Sequence, residues 1–177
     1  EFTHRPDEFV RRWMAEGNRF PDGTSPDEYS IEPFEATALP TDSGISLGDS
    51  SLEIRPLPGH SPGHVGVLDP ETRVLYGGDI IHVDQGLYVL FEDCHLDDYI
   101  ESLAALRTWR DRGTFEVLVT SHNDPLAGEE LSLLDTLYDG LREIAAGKRD
   151  YKLVETAWGE ARRYRIEDSI VLTKDDL

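Results

Sequence analysis

Three short apolar runs in this sequence each stop at a residue able to hold a cation. "EIRPLPG" stops at His60, "RVLYGG" at Asp79 and "EVLVTS" at His122. Their apolar content and length read as strands, so the polar residues fall on the rim of a sheet. Glycines beside His60 and Asp79 let backbone and ligand approach closely. Two imidazoles and a carboxylate suit zinc, and also iron or manganese. Taken singly, the same residues also read as a turn histidine beside Pro62, a turn aspartate after Gly-Gly and a surface histidine.

The remaining pattern alternates strands and helices. Residues 6–16 predict a helix, with Pro6 at its first position, Asp7 and Glu8 in its first turn and Gly17 at its stop. Residues 17–50 are rich in Pro, Gly, Ser and Asp and predict loop with one short strand. "SLEIRPLP" predicts a strand; "HVGVL" and "RVLYGGD", joined by "DPET", predict a hairpin or a sharp reversal between strands. Residues 97–112 predict a helix with Ile100, Leu103 and Leu106 on one face, a capping box from Asp98 and Glu101, and Gly113 at its end. Residues 115–122 predict a buried strand. Residues 128–146 predict a helix buried through Leu131, Leu134, Leu137 or Tyr138, Leu141 and Ile144, and "RRYRIEDSIVL" predicts a last strand. That order predicts a layered α/β or α+β domain, and 177 residues suffice for one domain with a real core.

Charge constrains the surroundings. There are 36 acidic residues against 17 basic, a net charge of −19, and the only lysines are Lys148, Lys152 and Lys174. The acids are spread along the chain, which reads as a solvated acidic shell suited to concentrated salt, with a surface for cationic partners as the alternative. Nucleic acid is disfavoured as a substrate. At about 1 M salt the Debye length is roughly 3 Å, so self-repulsion is screened. The melting temperature is therefore expected to rise as salt goes from about 0.1 M to above about 1 M. A flat or falling melting curve across that range would reject the salt-adapted reading.

The single cysteine, Cys94, excludes a disulfide within the chain and a thiolate zinc cluster, and points to the cytoplasm. No apolar run approaches the roughly 18 residues of a membrane span. No signal peptide pattern is present, although a chain that starts at Glu1 says little about targeting.

"LPGHSPGHV" followed by "RVLYGGDII" resembles the metallo-β-lactamase fold superfamily, especially its glyoxalase II-type thioesterases and lactonases. The resemblance covers roughly residues 50–135, and "YRIEDSIVL" is compatible with the family's last strand. It implies a four-layer αββα sandwich. It also implies that His60, Asp79 and His122 are metal ligands, with Asp79 the catalytic carboxylate that bridges or orients. The implied cofactor is one or two zinc ions, with iron or manganese as alternatives. "SHNDP" departs from the family's usual Pro-Gly-His-Gly, and the family's His-x-His-x-Asp-His motif does not occur. At "THRPDEF", His4 is followed by Pro6, Glu8 and Phe9 where the other ligands would stand. The resemblance thus implies one domain over 1–177 whose N-terminal portion, with half of the metal site, lies outside this chain. A divergent member that never had the motif is the alternative.

Other residues are weighed beside these. His64 and His82 are candidates to support the site or line its pocket, against plain packing. Cys94 and His95 read as capping or packing residues, Asp93, Asp97 and Asp98 as helix-start acids, and Tyr88 and Phe91 as pocket aromatics or core. The resemblance implies a metal-dependent hydrolase that opens an ester, thioester, lactone or similar bond with metal-activated water. No general base is assigned, because the family's usual proton acceptor lies in the motif this sequence lacks. The expected partner is a small molecule, with no membrane, and strands absent from one sheet edge favour self-association as a homodimer. The rivals are a single-iron oxygenase of the persulfide dioxygenase type and a non-catalytic domain of the same fold. The substrate is not readable, because specificity in this fold sits in loops.

Overall fold

A computed structural model of the chain describes residues 6–15 (without the side chains of 9 and 12–15), 30–39, 41, 44–83, 86–90, 94–156 and 159–174. In chain order these form α1 (Pro6–Ala15), β1 (Ile45–Ser46), β2 (Ser51–Pro56), β3 (Val65–Asp69), β4 (Val74–Gly78), β5 (Gly86–Val89), α2 (Leu96–Asp111), β6 (Val117–Thr120), β7 (Leu126–Ala127), a 3₁₀ turn (Gly128–Ser132), α3 (Leu133–Ala145), β8 (Lys152–Thr156), β9 (Gly159–Ile166) and β10 (Ser169–Thr173). The chain divides into two compact units, residues 1–39 with 155–159 and residues 40–154 with 160–177. Helix α1 belongs to the first. The candidate site lies in the second.

The "DPET" turn sets the direction of the main sheet. The Asp69 carboxylate accepts hydrogen bonds from the N–H groups of Glu71 and Thr72 and from the Thr72 hydroxyl, at 3.0, 3.3 and 2.7 Å. β3 and β4 therefore return on each other antiparallel. β2 pairs antiparallel with the far side of β3, and β6 pairs parallel with β4, in the order β1-β2-β3-β4-β6-β7. Strands β2, β4 and β6 consequently run the same way, so the residues that follow them gather on one rim. A second sheet has the order β5-β10-β9-β8.

Three expectations are corrected. Helix α2 has no capping box: His95 is its N-cap and makes no side-chain cap bond, which leaves Asp98 inside the first turn. There its charge complements the helix dipole instead. Residues 128–146 are not one helix. Gly128 takes a left-handed φ of 56°, and the Ser132 hydroxyl donates back to the Glu129 carbonyl at 2.7 Å, so a 3₁₀ turn precedes α3. "RRYRIEDSIVL" forms two strands, because Glu167 at φ 50° reverses the chain and β9 pairs antiparallel with β10. β10 also pairs in parallel with β5, a strand not expected from the sequence. The stop expected at Gly17 lies outside the described residues.

One apolar core joins both sheets to α2 and α3, through residues such as Leu57, Leu75, Leu103, Leu118, Leu137, Tyr164 and Val171. At Gly140 a Cβ would fall 2.4 Å from the Ile166 side chain, so glycine lets α3 lie directly on β9. Among the described residues no helix is long and apolar enough to cross a membrane.

Arg107 and Arg110 on α2 both donate to the Asp135 carboxylate on α3, at 2.6 Å and 2.7 Å. The Arg110 hydrogen bond above all holds the Asp135 carboxyl below its usual range. A carboxyl lowered in the folded state adds stability above its unfolded value, about 3.9, and loses it as pH falls through the folded value. The Asp135 side chain is 38% exposed, so screening leaves about 1 kcal/mol. Asp135→Asn is expected to cost that much at pH about 7 and almost nothing at pH about 2, by urea melts. An equal cost at both values would deny the charge its role.

Candidate metal centre

The turn that presents His60 is seated on α2. Gly59 takes a φ of +141°, and a Cβ there would fall 2.6 Å from the Tyr99 ring and 2.9 Å from the Tyr99 Cα. The Ser102 hydroxyl donates to the Pro58 carbonyl at 2.6 Å, and the Cys94 thiol donates to the His60 carbonyl at 3.2 Å. This explains why a serine lies on the buried face of α2, in line with Tyr99, Leu103 and Leu106.

His64 ties this turn to the next. Its Nδ1 lies 3.0 Å from the Leu57 carbonyl, and its Nε2 accepts the Asp79 N–H at 3.1 Å. A ring that accepts at Nε2 and donates at Nδ1 is neutral. Burial is the largest influence on His64 and pushes its pKa down, which favours the same state. Gly78, at φ +54°, leaves the space this ring needs, since a Cβ there would lie 2.9 Å from His64 Nε2. The Tyr99 hydroxyl donates to the Asp79 carbonyl at 3.2 Å, and burial raises its pKa so that it stays protonated. Asp79 is thus held by its main chain, and its carboxylate is free to face the rim.

The third segment follows β6. The Ser121 N–H donates to the Gly78 carbonyl at 3.0 Å, which brings His122 beside Asp79. Asn123 then clamps the loop after Asp79. Its Nδ2 donates to the Ile81 carbonyl at 3.0 Å and the Thr120 hydroxyl at 2.8 Å, and its Oδ1 accepts the Val83 N–H at 2.9 Å. His82 is held between these two anchors.

The three expected residues come together. His122 Nε2 lies 3.0 Å from Asp79 Oδ1, and His60 Nε2 lies 3.8 Å from Asp79 Oδ2. His82 joins them, with Nε2 3.7 Å from Asp79 Oδ1 and its ring 4.6 Å from that of His122. Burial, and next the adjacent His122, lower the His82 pKa. His60 Nδ1, Asp79 Oδ1 and both His82 ring nitrogens are buried without a well-aligned hydrogen-bond partner, the Asp79 main chain giving His82 only a minor contact; the short His122–Asp79 approach lacks hydrogen-bond alignment. Buried polar atoms left this way are costly unless something absent from the protein satisfies them. Three imidazoles and one carboxylate are the donor set of a divalent transition metal, so the residues fit the group.

His64 stands one hydrogen bond behind Asp79, and His95 occupies the N-cap position of α2 without a side-chain cap bond. Tyr88 lies edge-on to His82 at 6.4 Å. His4, Phe91 and Asp93 lie outside the described residues. Sequence reasoning missed Tyr99, Ser102 and Asn123 as parts of the site. Asn123 carried one usable signal, its place directly after His122 in "SHNDP".

The metallo-beta-lactamase superfamily model matches residues 1–145. This chain belongs to that superfamily. It is 32% identical over 94 residues to acyl-coenzyme A thioesterase MBLAC2 of Gallus gallus, covering 53% of this chain and 34% of that protein. The human protein of the same name is 27% identical over 112 residues, 63% of this chain and 40% of that one. The chain therefore spans well under half the length of these relatives. Among solved structures, a metallo-beta-lactamase family protein of Thermus thermophilus matches at 20% identity with a TM-score of 0.58, covering 82% of this chain and 50% of that one. That likeness shows the expected mixed α/β metallo-β-lactamase fold.

Proposed function

We propose that this chain carries the Asp79 side of a metal-dependent hydrolase that opens a thioester, or a related ester or lactone, in a small acyl substrate. The observation that carries the reading is the Asp79 carboxylate, with His122 Nε2 at 3.0 Å from one oxygen and His60 Nε2 at 3.8 Å from the other. His60, Asp79 and His122 would hold one cation or two, with His60 and His122 on opposite oxygens of Asp79 and zinc the first choice for this donor set. When bound, such a cation supplies Lewis-acid activation of water and of a carbonyl oxygen.

The protein's own part is positional. Asp79 presents both oxygens to the site, and His64 and Tyr99 keep its main chain in place. His60 is aimed by a turn packed directly on Tyr99 and tied to α2 by the Ser102 hydroxyl. Hydrolysis consumes one water, breaks the acyl C–S bond and yields an acid and a thiol. The thioester is preferred because the curated relatives are named acyl-coenzyme A thioesterases. The family match over 1–145 crosses both compact units and supports a single family domain. The net charge of −19 supports work in concentrated salt.

Slow thiol release from an acyl-coenzyme A is expected from the zinc-supplemented chain, abolished by a chelator and restored by added zinc. If zinc promotes the hydrolysis of no thioester, ester or lactone, the reading is wrong.

A further inference from the structure

We infer that His82 is itself a metal ligand, forming with Asp79 Oδ1 and His122 a three-donor cation site that does not need His60. The inference rests on the metal reading above and extends it. Asp79, His82 and His122 each place a donor atom within 4.8 Å of the other two. Ligands at about 2.0–2.2 Å around one tetrahedral ion stand roughly 3.3–3.6 Å apart, so small rotations bring these three onto one point.

His82 is only 3% exposed, and neither ring nitrogen has a well-aligned hydrogen-bond partner; the Asp79 main chain gives the ring a minor contact. A histidine kept only for packing would be expected to satisfy at least one nitrogen. Its neighbours His60, at 6.2 Å, and Tyr88, at 6.4 Å, are ring contacts that satisfy neither. The main chain that carries the ring is also set in advance, because Asn123 grips it on both sides, at Ile81 and Val83.

The two oxygens of Asp79 divide the imidazoles. Oδ1 faces His82 and His122, whereas Oδ2 faces only His60 among the described residues. The carboxylate can therefore serve two cation positions. The Oδ1 side has three protein donors, the number that zinc sites with an open coordination position use. The Oδ2 side has two among the described residues.

The test is cobalt(II) titration of the full chain, followed by calorimetry and visible absorption, with far-UV circular dichroism to confirm folding. His82→Phe keeps a buried ring without donors. It and His122→Ala are each expected to weaken cobalt binding at least about 100-fold, beyond the ten- to hundredfold cost of losing a support outside the ligand set. His60→Ala is expected to cost less than about tenfold. If His82→Phe binds like the parent while His122→Ala does not, this inference is overturned and the metal reading stands. A parent chain that takes up no cobalt overturns both. Should His82→Phe not fold, cadmium-113 added to the parent chain labelled with nitrogen-15 histidine decides the matter. One-bond coupling to a His82 nitrogen supports the assignment, and coupling at His122 without His82 refutes it.

Discussion

Asp79→Asn is expected to lower cation affinity, and with it the proposed thioester hydrolysis, at least about a thousandfold, which is roughly 4 kcal/mol in each, with the fold intact. The amide has the shape of the carboxylate but not its charge. In place of one oxygen it puts an NH₂ that cannot accept a bond or bind a cation. Both oxygens face imidazoles, Oδ1 toward His82 and His122 and Oδ2 toward His60, so the loss reaches every cation position on this rim. The backbone has no reason to move. His64 and Tyr99 hold Asp79 through its N–H and carbonyl, which the substitution leaves alone. Cobalt titration, kcat/KM on an acyl-coenzyme A and a thermal melt, run on one preparation, check the three parts. Retention of a tenth of the parent's cation affinity would show that Asp79 only orients its neighbours.

Gly59→Ala is expected to destabilise the chain by about 3–5 kcal/mol, from left-handed backbone strain and overpacking at roughly 1–3 kcal/mol each. At φ +141° an L side chain is strained before any contact is counted. The added methyl would also meet the Tyr99 ring at 2.6 Å and its Cα at 2.9 Å. The ring cannot yield, because Tyr99 is fully buried and its hydroxyl is spent on Asp79. At roughly 2–4 °C per kcal/mol for a chain of this size, the melting temperature should fall by about 6–20 °C. The damage also reaches the site, since the next residue is His60. Gly63→Ala is the control: a Cβ there meets nothing within 4 Å, and little change is expected. A Gly59→Ala chain as stable as that control would mean that the turn and α2 are not seated as described.

The parts of the fold that could be read along the chain are those decided by near neighbours. The β3–β4 hairpin was legible because Asp69 and its turn partners are within three residues of one another. The β9–β10 hairpin was not, because its reversal rests on a glutamate at φ 50°, a residue type that carries no turn signal. β5 escaped for another reason. It is four residues long, and it is a strand only because β10 pairs with it from far along the chain.

The site divides in the same way. His60, Asp79 and His122 could be picked out because each follows an apolar strand and has a side chain suited to a cation; residue type and local spacing determine that much. That the three meet depends on β2, β4 and β6 all pointing one way, which follows from pairing across the sheet. His82 shows the limit most clearly. Three residues after Asp79, its ring could face the rim or turn away, and nothing local settles which. Asn123, which bonds Ile81 and Val83 from about 40 residues away, makes that choice. The chemistry of the donors was therefore in the sequence. Their direction was set only when distant hydrogen bonds closed around them.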